Sequence, residues 1–278
     1  MKKYQKLLLL VLTFCAALFL VSCGSSKKSE SSSEGTKTVK VGIIGSDERV
    51  WDAIKPELKK KGIEVKLVQF TTYDQPNQAL VSGDIDLNSY QHIFYLNNWN
   101  KAHHADLVPI GNTIIAPLAV YSKKIKSIDN LKSGDTISIP NDATNQARAL
   151  QLLESAKVIT LKSGVEIPTP NDVVKNPKKV KITPLDASQT ARSLDDVTVA
   201  IINNGVALDA KLNPHTAIYT EKITKKSKPW INVLVAQKKD KNNKTYQEVV
   251  KAYQTEKVAQ KLKEVYQGSS VPAWNYKF

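Results

Sequence analysis

The sequence predicts an α/β fold with a largely parallel sheet, on three observations. Short apolar runs of period two alternate with segments of helical period. Gly, Pro, Asn and Asp punctuate the boundaries between them. About 240 residues downstream of a polar N-terminal stretch are enough for one large domain or two lobes, and the 278-residue chain shows no internal repeat.

The elements follow in order. Val39, Val41 and Ile43 predict a strand. Ser46 or Asp47 can cap the next helix, which carries Val50, Ile54 and Leu58 on one face and has Gly62 past its end. Ile63, Val65 and Leu67 form a second strand. A short helix after Pro76 carries Ala79 and Leu80 and ends at Gly83, and Ile85 and Leu87 begin a third strand. Residues 91–101 read as a helix and 107–110 as a short strand.

A second set starts after Leu118-Ala119-Val120-Tyr121. It has a strand at 136–139 and a helix at 143–156 with Ala147, Leu150 and Leu153 on one side. Residues 157–181, rich in Pro, Asn and Lys, read as a short helix with surface loop. Strands at 180–182 and 197–202 flank a helix near 188–194. Ile231, Val233 and Val235 give another strand. Two helices close the chain, the second with Val258, Leu262, Val265 and Tyr266 on one face and Thr255 as its cap.

The N-terminus adds a different signal. Lys2, Lys3 and Lys6 precede the apolar run 7–21, which has the length of a signal-peptide core and is short for a membrane span. It ends at Leu20-Val21-Ser22-Cys23, which resembles a bacterial lipobox. Residues 1–22 are thus expected to be a lipoprotein signal peptide, with a palmitate-type lipid anchor on Cys23. Residues 23–37 lack any large apolar side chain and predict a flexible tether. Of the two cysteines, Cys15 lies in the removed segment. The mature chain would therefore hold no disulfide and must rely on a hydrophobic core.

The net charge is +14, and loss of residues 1–22 removes three lysines and no acid, leaving +11. The lysines are spread along the chain with no arginine-rich or aromatic-basic cluster, which argues against nucleic acid and for attraction to an anionic cell surface. The sequence contains no P-loop, Rossmann glycine fingerprint, CxxC or GxSxG.

Tyr73-Asp74-Gln75-Pro76-Asn77, followed by the run from Gly83 to His92 (GDIDLNSYQH), resembles a hallmark of the NlpA/MetQ family of methionine-uptake lipoproteins. Gly111-Asn112-Thr113, residues 118–131, 139–149 (IPNDATNQARA), Leu185-Asp186-Ala187 and 192–197 (RSLDDV) are similar in order and spacing. The resemblance runs from about residue 38 to the end. It implies a two-lobed, periplasmic-binding-protein-like (type II) fold. Lobe one would hold 38–118 and 236–278 and lobe two 119–235, with crossover strands near 119–121 and 233–236. It implies an extracytoplasmic monomer, lipid-anchored to the cell membrane, that binds an amino acid and docks on an ABC permease driven by its ATPase. Neither enzymatic activity nor a cofactor is expected.

The cleft of such a protein must satisfy a carboxylate, an ammonium and a side chain. Arg148 is one of only three arginines in the mature chain. By residue type it reads as a surface salt bridge; within the family motif it reads as the ligand carboxylate's partner, gripping it through two parallel hydrogen bonds. Its place in the first turns of a helix suits an anion, and Asn145 can add a hydrogen bond. Asn203 alone is a turn signal; the resemblance makes it a contact to the ligand's backbone polar groups. Tyr73, Tyr90 and Tyr95 alone read as core and His92 alone as a hydrogen-bonded structural histidine, and the resemblance places all four around the ligand side chain. A thioether packs against aromatic rings with about 0.3–1.5 kcal/mol per contact.

Ala147, Gly205, Val206 and the 45–51 loop depart from the commonest family pattern. L-methionine is the expected ligand, with D-methionine, another amino acid or a Met-containing dipeptide left open. A metal-binding lipoprotein is the remote alternative. Only four histidines exist, and the adjacent His103 and His104 point apart on a predicted helix end, so no metal site is expected. Ser188 and Ser193 read as capping or surface residues rather than nucleophiles.

Overall fold

The structure, a computed structural model, describes residues 36–45 and 48–276. The signal peptide, Cys23, the tether as far as residue 35, and the candidate caps Ser46 and Asp47 lie outside the described residues.

Two mixed sheets organise the chain. The first has six strands in the order β13-β4-β12-β3-β1-β2. They are β1 (Lys37–Ile44), β2 (Ile63–Phe70), β3 (Leu87–His92), β4 (Val108–Ile115), β12 (Ile231–Ala236) and β13 (Val271–Pro272). β1 pairs in parallel with β2 and β3, and β12 runs antiparallel between β3 and β4. The second sheet has the order β11-β5-β10-β6-β9. Its members are β5 (Ala119–Tyr121), β6 (Thr136–Pro140), β9 (Lys181–Leu185), β10 (Val199–Ile202) and β11 (Tyr219–Thr220). Here β10, β6 and β9 are parallel, and β5 and β11 add antiparallel pairings. A small antiparallel ribbon joins β7 (Thr160–Leu161) to β8 (Val173–Lys175).

Helices cover both faces of the first sheet. α1 (Glu48–Lys59), α6 (Lys244–Tyr253) and α7 (Glu256–Val265) pack on one, burying Trp51, Leu58, Val249 and Leu262 against Val41 and Ile43. α2 (Gln75–Ser82) and α3 (Ile93–His103) cover the other, where Leu80, Leu96 and Trp99 meet Ile115. β12 shows why the pattern is stable. Leu234 and Ala236 face the first cluster, and Val233 and Val235 face the second, as the two-residue period of a strand dictates. In the second sheet, α4 (Ala143–Ser155) places Leu150 and Leu153 on Ile137, Ile139 and Ile201. The opposite face packs Ala200 and Ile202 on Val206 from α5 (Asn204–Asp209).

Local signals account for the helix ends. Thr255 accepts from the Val258 amide, Asp142 accepts from the Asn145 amide, and Gly83 takes φ 81°, which favours glycine. Among the described residues no helix is long and apolar enough to cross a membrane.

Several elements differ from the sequence expectation. The segment 91–101 does not start as a helix. β3 continues through Gln91 and His92, because His92 is extended and its ring caps the α3 amide of Tyr95. The stretch 157–181 forms the β7–β8 ribbon and a 3-10 turn instead of a short helix, and 187–195 folds as two 3-10 turns. α5, absent from the expectation, follows Asn203 directly. The chain crosses between sheets at 116–118 and 221–230; β5 and β12, the expected crossovers, each pair within one sheet.

Leu262 is fully buried in the α1–α6–α7 cluster. Leu262→Ala is expected to cost about 2–5 kcal/mol, through lost transfer energy and the cavity left behind, read as a lower urea midpoint with an unchanged m-value.

Candidate ligand-binding site

The carboxyl ends of parallel strands from both sheets meet at one place, the usual ligand position in open α/β sheets. β2 leads to Tyr73, β3 ends in Tyr90 and His92, and α3 brings Tyr95 in its first turn. From the second sheet, β6 leads into α4 with Asn145 and Arg148, and β10 leads to Asn203. All seven residues line one cavity of about 70 Å3. Gln91, Ile114, Ala116, Asn204 and Asn232, to which sequence reasoning gave no ligand role, line it too. Gln91, Asn204 and Asn232 are polar and follow no apolar period, so only the fold brings them in.

A hydrogen-bond relay crosses the cavity wall. The Tyr95 amide donates to His92 Nδ1 at 2.9 Å, which places the ring proton of the neutral imidazole on Nε2. Nε2 lies 3.3 Å from Asn145 Oδ1, and Asn203 Nδ2 donates to that same oxygen at 2.9 Å. Asn145 Nδ2 in turn donates to Asp142 at 3.0 Å. The Asn145 amide is therefore spent on protein partners, and it orients His92 and Asn203 rather than presenting a free group. The other end of the Asn203 amide differs: its Oδ1 is buried and has no hydrogen-bond partner among the described residues. A buried unpaired acceptor costs about 1–3 kcal/mol, so this oxygen is a ready partner for a donor entering the cavity.

Arg148 departs from the expected picture. Its fork is occupied by the chain's own carboxylate: Nε donates to Glu221 Oε1 at 3.0 Å and Nη2 to Glu221 Oε2 at 2.5 Å. Nη2 also donates to the Ala116 carbonyl at 3.0 Å. Nη1 is the guanidinium nitrogen without a hydrogen bond among the described residues, so two parallel bonds to a second carboxylate are not available in this geometry. The guanidinium carbon sits 4.7 Å over the Trp230 ring, whose edge also meets His92 at 5.0 Å. Glu221 and Trp230 were missed from the sequence. Nothing in Thr220-Glu221-Lys222 marks a partner 73 residues away. Trp230 did carry a signal, because a large aromatic beside an apolar strand is seldom exposed.

Tyr73, Tyr90 and Tyr95 form a three-ring wall, with centroids 6.0–6.2 Å apart in tilted and edge-on arrangements. Tyr73 packs on the cores of both sheets. Burial pushes all three phenols up, with nearby carboxylates adding to it, so they stay protonated. Behind the wall, Asn77, Asn88 and Gln91 satisfy one another in a buried amide network that fixes β3.

Burial, then the Arg148 charge, lowers His92 from 6.5 to about 3, with the Asn145 contact partly opposing. The unfolded chain thus takes up this proton before the folded one. The neutral ring favours folding fully above about pH 6.5, and stability is lost as pH falls from there towards 3. In urea titrations, wild type should lose up to about 1.4 kcal/mol per pH unit more than His92→Gln across that window. Equal slopes for the two proteins would contradict this account.

The sequence profile of the NlpA lipoprotein family matches residues 39–274. A probable D-methionine-binding lipoprotein MetQ from Vibrio cholerae is 40% identical over 278 residues, covering 99% of this chain and all of its own length. The substrate binding protein of a methionine transporter from Streptococcus pneumoniae superposes with a TM-score of 0.81 at 40% identity, covering 85% of this chain and 96% of its own. A nutrient binding protein from Burkholderia cenocepacia, solved bound to methionine, gives a TM-score of 0.81 at 42% identity, with 84% and 99% covered. These likenesses agree with the two-lobed, periplasmic-binding-protein-like architecture, and the chain belongs to the NlpA lipoprotein family.

Proposed function

We propose that this chain is an extracytoplasmic binding lipoprotein that captures L-methionine or a close relative and hands it to an ABC permease and its ATPase. It would act as a monomer, held at the cell membrane by lipid on Cys23, by binding and release with no chemical step. The observation that supports this best is the convergence of three kinds of group on one cavity between the two sheets. They are an Arg148 nitrogen without a hydrogen bond, the unpaired Asn203 acceptor, and the wall of Tyr73, Tyr90 and Tyr95. Such a set suits a zwitterion with an apolar, polarisable side chain.

In this reading the ligand carboxylate meets Arg148 Nη1 through one charge-assisted contact, and its ammonium donates to Asn203 Oδ1. The side chain lies against the tyrosines and His92, while Asn145 holds His92 and Asn203 in place. We place lobe one at 38–118 with 231–278 and lobe two at 119–230, because β12 pairs in the first sheet. Ligand bridging the two lobes would favour the closed cleft. D-methionine is the second reading, since the Vibrio cholerae relative is named for that enantiomer.

A thermal-shift screen of the twenty amino acids, both methionine enantiomers and several dipeptides tests this. Methionine at about 100 times its dissociation constant should add roughly 2.7 kcal/mol of stability. Absence of a shift with every compound would sink the proposal. Arg148→Ala should weaken methionine binding at least about tenfold by calorimetry, the loss of one charge-assisted contact. It should also destabilise the fold by about 3–5 kcal/mol, because Glu221 is left without its partner.

A further inference from the structure

We propose that Glu221 sets the charge selectivity of the cavity: by cancelling the Arg148 charge it admits zwitterionic ligands and disfavours monoanions that lack an ammonium group. The inference rests on the amino-acid-binding reading above and adds a residue to it.

The geometry carries the argument. Arg148 and Glu221 are joined through two hydrogen bonds, at 3.0 and 2.5 Å, and their side chains are only 4% and 18% exposed. Water screens such a pair poorly, so its net charge is what an entering ligand meets. Glu221 is also fixed at the connections between the sheets. The Leu118 amide donates to its Oε2 at 3.2 Å, and its own amide donates to the Leu118 carbonyl at 2.9 Å. Its side chain therefore cannot swing away without giving up the Leu118 amide as well as Arg148.

The remaining cavity wall supplies no compensating cation. Among the described residues no lysine lines it, His92 is neutral, and Tyr73, Tyr90 and Tyr95 are protonated. A negative charge stands behind the wall: Asp142, to both of whose oxygens Asn145 donates. A ligand carboxylate reaching Nη1 thus approaches a cation already neutralised from the other side. It gains little unless the same ligand carries a positive group for the unpaired Asn203 oxygen. Without Glu221, a buried guanidinium would lack a counter-charge, and any carboxylate small enough to enter would supply it.

The test compares methionine with 4-(methylthio)butanoate, the same molecule without its ammonium, by calorimetry on the intact protein. Wild type should favour methionine. Glu221→Gln, which keeps an acceptor for Leu118, should narrow that preference at least about tenfold by tightening the des-amino compound. Glu221→Asp, which retains the charge, should keep the preference within about threefold of wild type. If Glu221→Gln does not fold, Arg148→Gln combined with Glu221→Gln removes both charges and should bind more weakly with the wild-type preference retained. Equal weakening of both compounds in Glu221→Gln, or a narrowed preference in the double variant, overturns the role given to Glu221. A wild type that binds methionine with no change in preference on Glu221→Gln overturns that role alone. A wild type that binds neither compound overturns the amino-acid reading with it.

Discussion

The ion pair between Arg148 and Glu221 is the constraint on which the site depends. One partner comes from the first turns of α4, the other from the chain's return to the first sheet. The pair also engages Ala116 and Leu118 on the outward crossing. Both crossings between the sheets and one wall of the cavity are thus held by a single buried guanidinium and its carboxylate. Such a pair is weak evidence for net stability, since desolvating two charges offsets much of their attraction. Its consequence is geometric: it fixes which guanidinium nitrogen remains for something else.

The relay through Asn145 complements that pair. Asn145 connects His92, at the end of a first-sheet strand, with Asn203, at the end of a second-sheet strand. Because Asp142 takes the Asn145 amide hydrogens, the Asn145 oxygen can face only the other two residues. This leaves the Asn203 oxygen an acceptor without a partner among the described residues, while burial, then the Arg148 charge, keeps His92 neutral. The site is therefore polar at two points and aromatic elsewhere, and each polar point is oriented by a residue that need not touch the ligand.

Most of the framework was legible because it follows periodicity. Val39, Val41 and Ile43, the Val50–Ile54–Leu58 face and the Thr255-capped last helix all obey the period of their element. The errors fall where that signal vanishes. Asn88, Gln91 and His92 form a buried polar strand end, satisfied by side-chain amides, and no apolar alternation marks it. The β7–β8 ribbon and the 3-10 turns at 187–195 are too short to carry a period at all.

For the site, the sequence by itself determined which residue types follow the strands: the tyrosines, His92, Asn145, Arg148 and Asn203. The resemblance to the family motifs picked them out; by residue type alone the tyrosines read as core and Arg148 as a surface salt bridge. Only the tertiary structure decided what those groups have left to offer. Hydrogen-bond capacity is finite and is consumed by neighbours distant in sequence. Glu221 takes two of the three guanidinium nitrogens, and Asp142 takes the Asn145 amide hydrogens. No local pattern encodes a pairing across 73 residues; it exists only once the two sheets are brought together.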